Sequence, residues 1–173
     1  MYTKEIKHWR YDIPQIDGEG WGTFLLDETG MFAAVTDYGN CAYKWPHSGC
    51  EDFRHFFAQE RTNWGYFLPK LFYELKEYDG DETLQRIKEY IISCRRDGTF
   101  TREKARQEWD LLERHDWLYG DFEFAYWYDE TSISDAEEFY IRGYPSSALA
   151  FVNKLLPRLS KAIREELARE GIE

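Results

Sequence analysis

Two short runs, Trp21-Thr23-Leu25 and Met31-Ala33-Val35, alternate with the residues between them at a period of two, and this constrains the chain more than any other feature. A period of two suits a half-buried strand and cannot be kept on one face of a helix. Asp27-Glu28-Thr29-Gly30 separates the runs with turn-forming residues, so the pair predicts a β-hairpin. Asp37-Tyr38-Gly39-Asn40 supplies a second tight turn, and Cys41 to Trp45 reads as a third strand, completing an antiparallel meander. Pro46 and Gly49 break the pattern. Glu51 to Phe57 then reads as a helix, with acids in its first turn and Phe53, Phe56 and Phe57 spaced to lie on a sheet.

Further signals flank this region. Trp9, Tyr11 and Ile13 alternate before Pro14 and predict an earlier strand. Tyr66 to Lys76 is helical in pattern. Asp81 is placed to cap a helix from Glu82 to about Arg96, with Leu84, Ile87, Ile91 and Cys94 as its stripe. Asp97-Gly98 closes that helix and Thr101 caps another to about His115, so an αα-hairpin is expected in the middle of the chain. Phe122, Phe124, Tyr126 and Tyr128 alternate and predict a strand, with residues 137–142 as its returning partner. Leu149, Val152, Leu155, Leu156, Leu159, Ile163 and Leu167 mark a C-terminal helix that Pro157 must kink or split. Strands followed by helices, without a strand-helix-strand repeat, predict a single α+β domain over residues 1–173: a meander packed on helices, a central helical hairpin and a C-terminal helix.

Charge is distributed regionally. The net charge is −11, yet residues 11–43 hold six acids and residues 115–141 hold eight, with no Lys or Arg in either window. Such fields repel nucleic acid and membrane phosphate and attract basic protein surfaces. Aromatic residues reach 18%, more than a core of this size needs, so some rings are expected at the surface, where Tyr and Trp serve as contact anchors. Aromatics here interleave with acids, as in Asp121-Phe122-Glu123-Phe124, whereas a nucleic-acid groove interleaves them with bases. The partner-binding candidates are therefore Asp37, Tyr38, Asp121, Glu123, Tyr126, Trp127, Glu130, Glu137 and Glu138.

Catalytic signatures are weaker. Cys41, His47, Cys50 and His55 are zinc-type ligands within fifteen residues, but their spacing fits no knuckle. Cys50 near His47 or His55 is a nucleophile-and-base pair only if the imidazole lowers the thiol pKa. Glu123 and Glu137 would face each other across the expected hairpin. No Walker loop, nucleophile elbow or paired-histidine helix is present. No metal or cofactor is expected, and the enzymatic alternative is a metal-assisted hydrolase of a nucleotide or nucleic acid. Three unpaired-looking cysteines and an N-terminus without an apolar core fit a reducing cytoplasm.

A resemblance joins these readings. Thr36-Asp37-Tyr38-Gly39-Asn40-Cys41-Ala42-Tyr43-Lys44-Trp45, then Asp52-Phe53-Arg54-His55-Phe56 and Tyr66-Phe67-Leu68-Pro69-Lys70-Leu71, resemble a cassette of bacteriophage and prophage accessory proteins, over residues 21–72. The resemblance implies a phage-encoded protein acting in the cytoplasm of a bacterial host and brings no site residues. With the charge pattern, it points to a non-enzymatic inhibitor of a basic protein surface, such as a host nucleic-acid-processing defence complex, in the manner of an anti-CRISPR protein. A virion assembly role is the remaining alternative.

Overall fold

The structure is a computed structural model that describes residues 5–59 and 63–172. It forms two compact units, one from Met1–Leu75 with Tyr144–Glu173 and the other from Lys76–Gly143. The architecture is α+β, as the order of signals predicts.

In the first unit, alternation produces a four-stranded antiparallel sheet in the order β1 (His8–Ile13), β2 (Gly22–Asp27), β3 (Met31–Thr36), β4 (Gly39–Lys44). Trp9, Tyr11 and Ile13 point inward on β1 as expected. On β2 and β3 the inward set is Phe24, Leu26, Phe32 and Ala34, so the alternating residues Leu25, Met31 and Val35 lie on the exposed face. Both phases are apolar, and the two buried phenylalanines outweigh the outer set in area removed from water. The β2–β3 turn is held by the Asp27 carboxylate, which accepts from the amides of Thr29 (2.8 Å) and Met31 (3.1 Å). Gly30 sits there at φ +85° with its α-carbon against the Trp45 carbonyl, leaving no room for a side chain.

Helices cover the inner face: α1 (Arg54–Ala58), a 3-10 turn (Trp64–Phe67), α2 (Leu68–Leu71) and a second 3-10 turn (Tyr73–Leu75). Phe57 of α1 is fully buried, stacked on Phe32 at 5.1 Å and edge-on to Trp45 at 6.0 Å. Arg54 is also fully buried. Its guanidinium meets Asp52 (2.7 Å), Glu170 (2.8 Å) and Glu166 (3.4 Å) and lies over the Trp9 ring at 5.0 Å. A charge taken out of water in this way is held only because opposite charges surround it.

In the second unit, a two-residue ladder of β5 (Glu77–Tyr78) and β6 (Arg142–Gly143) closes a helical array of α3 (Gly80–Asp97), α4 (Arg102–Leu112) and α5 (Asp121–Glu130), with a 3-10 turn at Ala136–Phe139. The helical hairpin of α3 and α4 is as predicted, and Thr101 caps α4 by accepting from the Lys104 amide at 3.1 Å. The cap of α3 is Asp79 rather than Asp81; Gly80 lies buried against the Trp117 carbonyl, and only glycine fits that position.

Residues 121–128 correct the sequence reading: they form a helix, and residues 137–142 do not return as a strand beside them. Phe124 and Trp127, three apart, share the buried side of α5. Trp127 is enclosed by Phe124 (5.5 Å), Trp117 (5.7 Å) and Phe139 (6.2 Å). Burying that ring removes on the order of 200 Å² from water, about 5 kcal/mol, which outweighs any strand preference of the local sequence.

The C-terminal arm, in the first unit, runs through α6 (Ser146–Ala150), a π-helical turn (Phe151–Leu155) and α7 (Leu156–Glu170). Pro157 stands at the second residue of α7, which directly follows the π-helical turn, so the run changes helical form just before the proline. Among the described residues, no helix is long and apolar enough to cross a membrane.

Candidate protein-interaction surface

The turn of helix that buries Phe124 and Trp127 carries Phe122 and Tyr126 on its other side, because residues four apart share a helix face. Tyr126 is 58% exposed and Phe122 42%. In the approach to α5, Leu118 is 74% exposed and Tyr119 76%. The rings form a chain of edge-on contacts, Tyr119 to Phe122 at 5.6 Å and Phe122 to Tyr126 at 6.1 Å. Such contiguous exposed rings lose apolar contact energy to water, and they are rigid enough to dock with little entropy loss.

Acids flank the rings. Asp121 is exposed and accepts from the Tyr140 hydroxyl at 3.4 Å, and burial followed by the Asp121 charge raises the Tyr140 phenol. Asp129 lies one turn beyond Tyr126, with Glu130 beside it, paired to Arg114 at 3.5 Å across open surface. Exposed pairs of this kind contribute little to stability, so both side chains are available to a partner.

The predicted residues divide into four groups. Asp121, Tyr126 and Glu130 come together on α5. Glu137 and Glu138 are exposed on the Ala136–Phe139 turn of the same unit, and their side chains make no hydrogen bond or ion pair among the described residues. Trp127 is fully buried and is therefore no anchor, and Glu123 is turned toward His115 Nδ1 at 3.1 Å with most of its side chain covered. Asp37 and Tyr38 belong to the other unit. There the Asp37 carboxylate accepts from the Gly20 amide at 2.6 Å and Tyr38 packs half-buried on the core. The sequence reading missed Leu118, Tyr119 and Phe122. A helical rather than an alternating reading of 118–126 would have grouped them, since 119, 122 and 126 recur at three- and four-residue steps.

The chemical alternatives find less support. Burial pushes the Cys41 thiol up to about 12, and burial with the Asp52 charge also raises Cys50, so neither is poised as a thiolate. Cys50 and His55 line a shallow recess with Asp52, but among the described residues no group of three or more His, Cys, Asp and Glu side chains is placed to hold a metal ion. Glu123 and Glu137 do not face each other across a hairpin, because that hairpin is absent.

No curated protein and no solved structure matches the chain. A family profile does, over residues 4–165, well beyond the 21–72 cassette. Covering both units in one continuous match, it makes the chain a member of the phage family Phage_phiTE_072.

Proposed function

We propose that this phage protein is a non-enzymatic accessory factor that binds a basic protein surface through the α5 face, in the cytoplasm of the infected host. The observation that carries the reading is the chain of exposed rings Tyr119, Phe122 and Tyr126 inside a window of eight acids and no bases. Rings supply the anchors and acids supply the steering, which is how a small acidic protein competes with nucleic acid for a basic groove. The finer reading is a counter-defence inhibitor of the anti-CRISPR kind, whose target is a host nucleic-acid-processing complex.

Affinity capture from a bacterial host lysate at low salt tests both levels. The wild type should retain a basic nucleic-acid-binding protein, release it as salt rises, and displace nucleic acid from it. Phe122→Ala with Tyr126→Ala should weaken that capture by ~30-fold, the consequence of truncating a ~2 kcal/mol anchor. Equal capture by wild type and the double variant, or capture insensitive to salt, would exclude the α5 face as the binding surface.

A further inference from the structure

The α3–α4 hairpin carries charge of the opposite sign. From Arg86 to Arg106 the sequence has seven Lys or Arg against three acids, a net +4 within a chain of −11. Between the two helices lies an open groove of about 800 Å³. Ile91, buried, and Ala105 and Trp109, half-buried, give it an apolar base, while Arg95, Arg96 and Arg102 stand exposed around it. Among the described residues these three guanidiniums form no ion pair or hydrogen bond, whereas Arg106 of the same groove is held by Asp110 at 2.8 Å. Arginine fits planar carboxylates and stacks on rings, so this rim suits a ligand carrying both. An apolar base beneath it excludes a bare polyanion as the best occupant, because phosphates would leave exposed Ile92 and half-buried Trp109 uncovered.

The α5 face has the complementary chemistry: Phe122 and Tyr126 for the base, and Asp129 and Glu130 one turn on for the rim. We propose that the groove between α3 and α4 takes the α5 face of a second copy of this chain, so that the protein self-associates head to tail. The proposal rests on the α5 face being a docking surface, as above, and adds a groove which that reading leaves unused. Groove and face are different patches, so the contact is heterologous and generates a ring or an open chain of copies rather than a simple two-fold dimer. An α5 face seated in a neighbour's groove is also withheld from any other partner.

Sedimentation velocity of the full chain over a rising concentration series reads this directly. The wild type should grow beyond a dimer. A groove variant, Arg95→Glu with Arg102→Glu, and a face variant, Phe122→Ala with Tyr126→Ala, should each need at least about tenfold higher concentration to associate. Mixed in equal amounts, the two variants should form a 1:1 dimer and stop, because each retains only the surface the other lacks. All substituted residues are exposed, and the milder Arg102→Gln should weaken assembly in the same direction. A wild type that stays monomeric, assembly that survives the groove variant, or a mixture that fails to dimerise overturns the proposal. So does a monomer that binds a short DNA duplex through the same arginines. The groove variant should still capture the basic partner, so failure here leaves the proposed function standing, and failure of that capture leaves assembly standing.

Discussion

The two units hold similar numbers of charged residues, 27 in the sheet-containing unit and 28 in the helical one, and use them differently. In the sheet-containing unit several charged groups are already engaged: Arg54 is enclosed by three carboxylates, Arg158 donates to the carbonyls of Gly20 and Pro14, Lys154 pairs with Glu19 at 3.0 Å, and Asp27 and Asp37 hold turns and loops. In the helical unit Glu108 accepts from Thr131 and Ser132, Glu123 lies beside His115, Asp79 caps α3, and Asp110, Asp121 and Glu130 have partners at the surface. Exposed Asp129, Glu137 and Glu138 and the groove residues Arg95, Arg96 and Arg102 have no side-chain partner among the described residues. The six acids of 11–43 and the eight of 115–141 look alike in sequence. What separates structural from available charge is whether a partner is already in reach, and it is in the helical unit that the proposed binding surfaces lie.

Three perturbations would break or sharpen this contrast. The largest compares neighbours on one helix: Trp127→Ala should cost about 4 kcal/mol, whereas Tyr126→Ala should change stability by no more than about 0.5 kcal/mol, both read by urea unfolding. A large loss from Tyr126→Ala would make the outer face part of a core. Next, Arg54→Met should cost about 3 kcal/mol near neutral pH by leaving three carboxylates facing one another. It should also flatten the acid limb of stability. Burial pushes the Asp52 carboxyl up, but hydrogen bonds from Arg54 outweigh this and hold it below the usual range, and Arg54 likewise lowers Glu170. Carboxylates with depressed folded pKa values stabilise above their ordinary value, roughly 4, and that contribution is lost as pH falls through the folded value, so the wild type should weaken in acid and the variant much less. The smallest effect is a pair: Asp37→Ala should cost about 1 kcal/mol through the lost bond to Gly20, and Glu137→Lys with Glu138→Lys less than about 0.5 kcal/mol. Equal effects in thermal melts would erase the distinction between the two acidic windows.

How far the sequence spoke for itself follows from the range of the interactions involved. The meander was legible because cross-strand partners such as Leu26 and Phe32 are close along the chain and their turn carries Asp27 and Gly30. Its inward phase was not, since Leu25 and Phe24 are both apolar and only the tertiary cover chooses between them. Arg54 looked like part of an ordinary helix start, and the Glu166 and Glu170 that hold it are more than a hundred residues away. In α5, aromatics occupy 122, 124, 126, 127 and 128, which satisfies a period of two and a period of 3.6 alike. The β5–β6 ladder is too short to leave any pattern. For the proposed interaction surface, composition pointed to acids and rings within residues 115–141, but which rings face outward depended on reading 121–128 as a helix.

The π-helical turn at Phe151–Leu155 has a consequence for chain length. Its wider loop closes from the Leu156 amide to the Phe151 carbonyl, five residues back instead of four. It therefore holds one residue more than an α turn while Phe151, Val152, Leu155 and Leu156 all stay buried. One residue gained or lost elsewhere in this arm would rotate everything beyond it by about 100°, carrying Leu159, Ile163 and Leu167 off the core and Glu166 and Glu170 away from Arg54. Within the π turn, loss of one residue converts it to an α turn and leaves the flanking faces in phase. This is the point in the arm at which one residue can be removed and the packing on both sides kept.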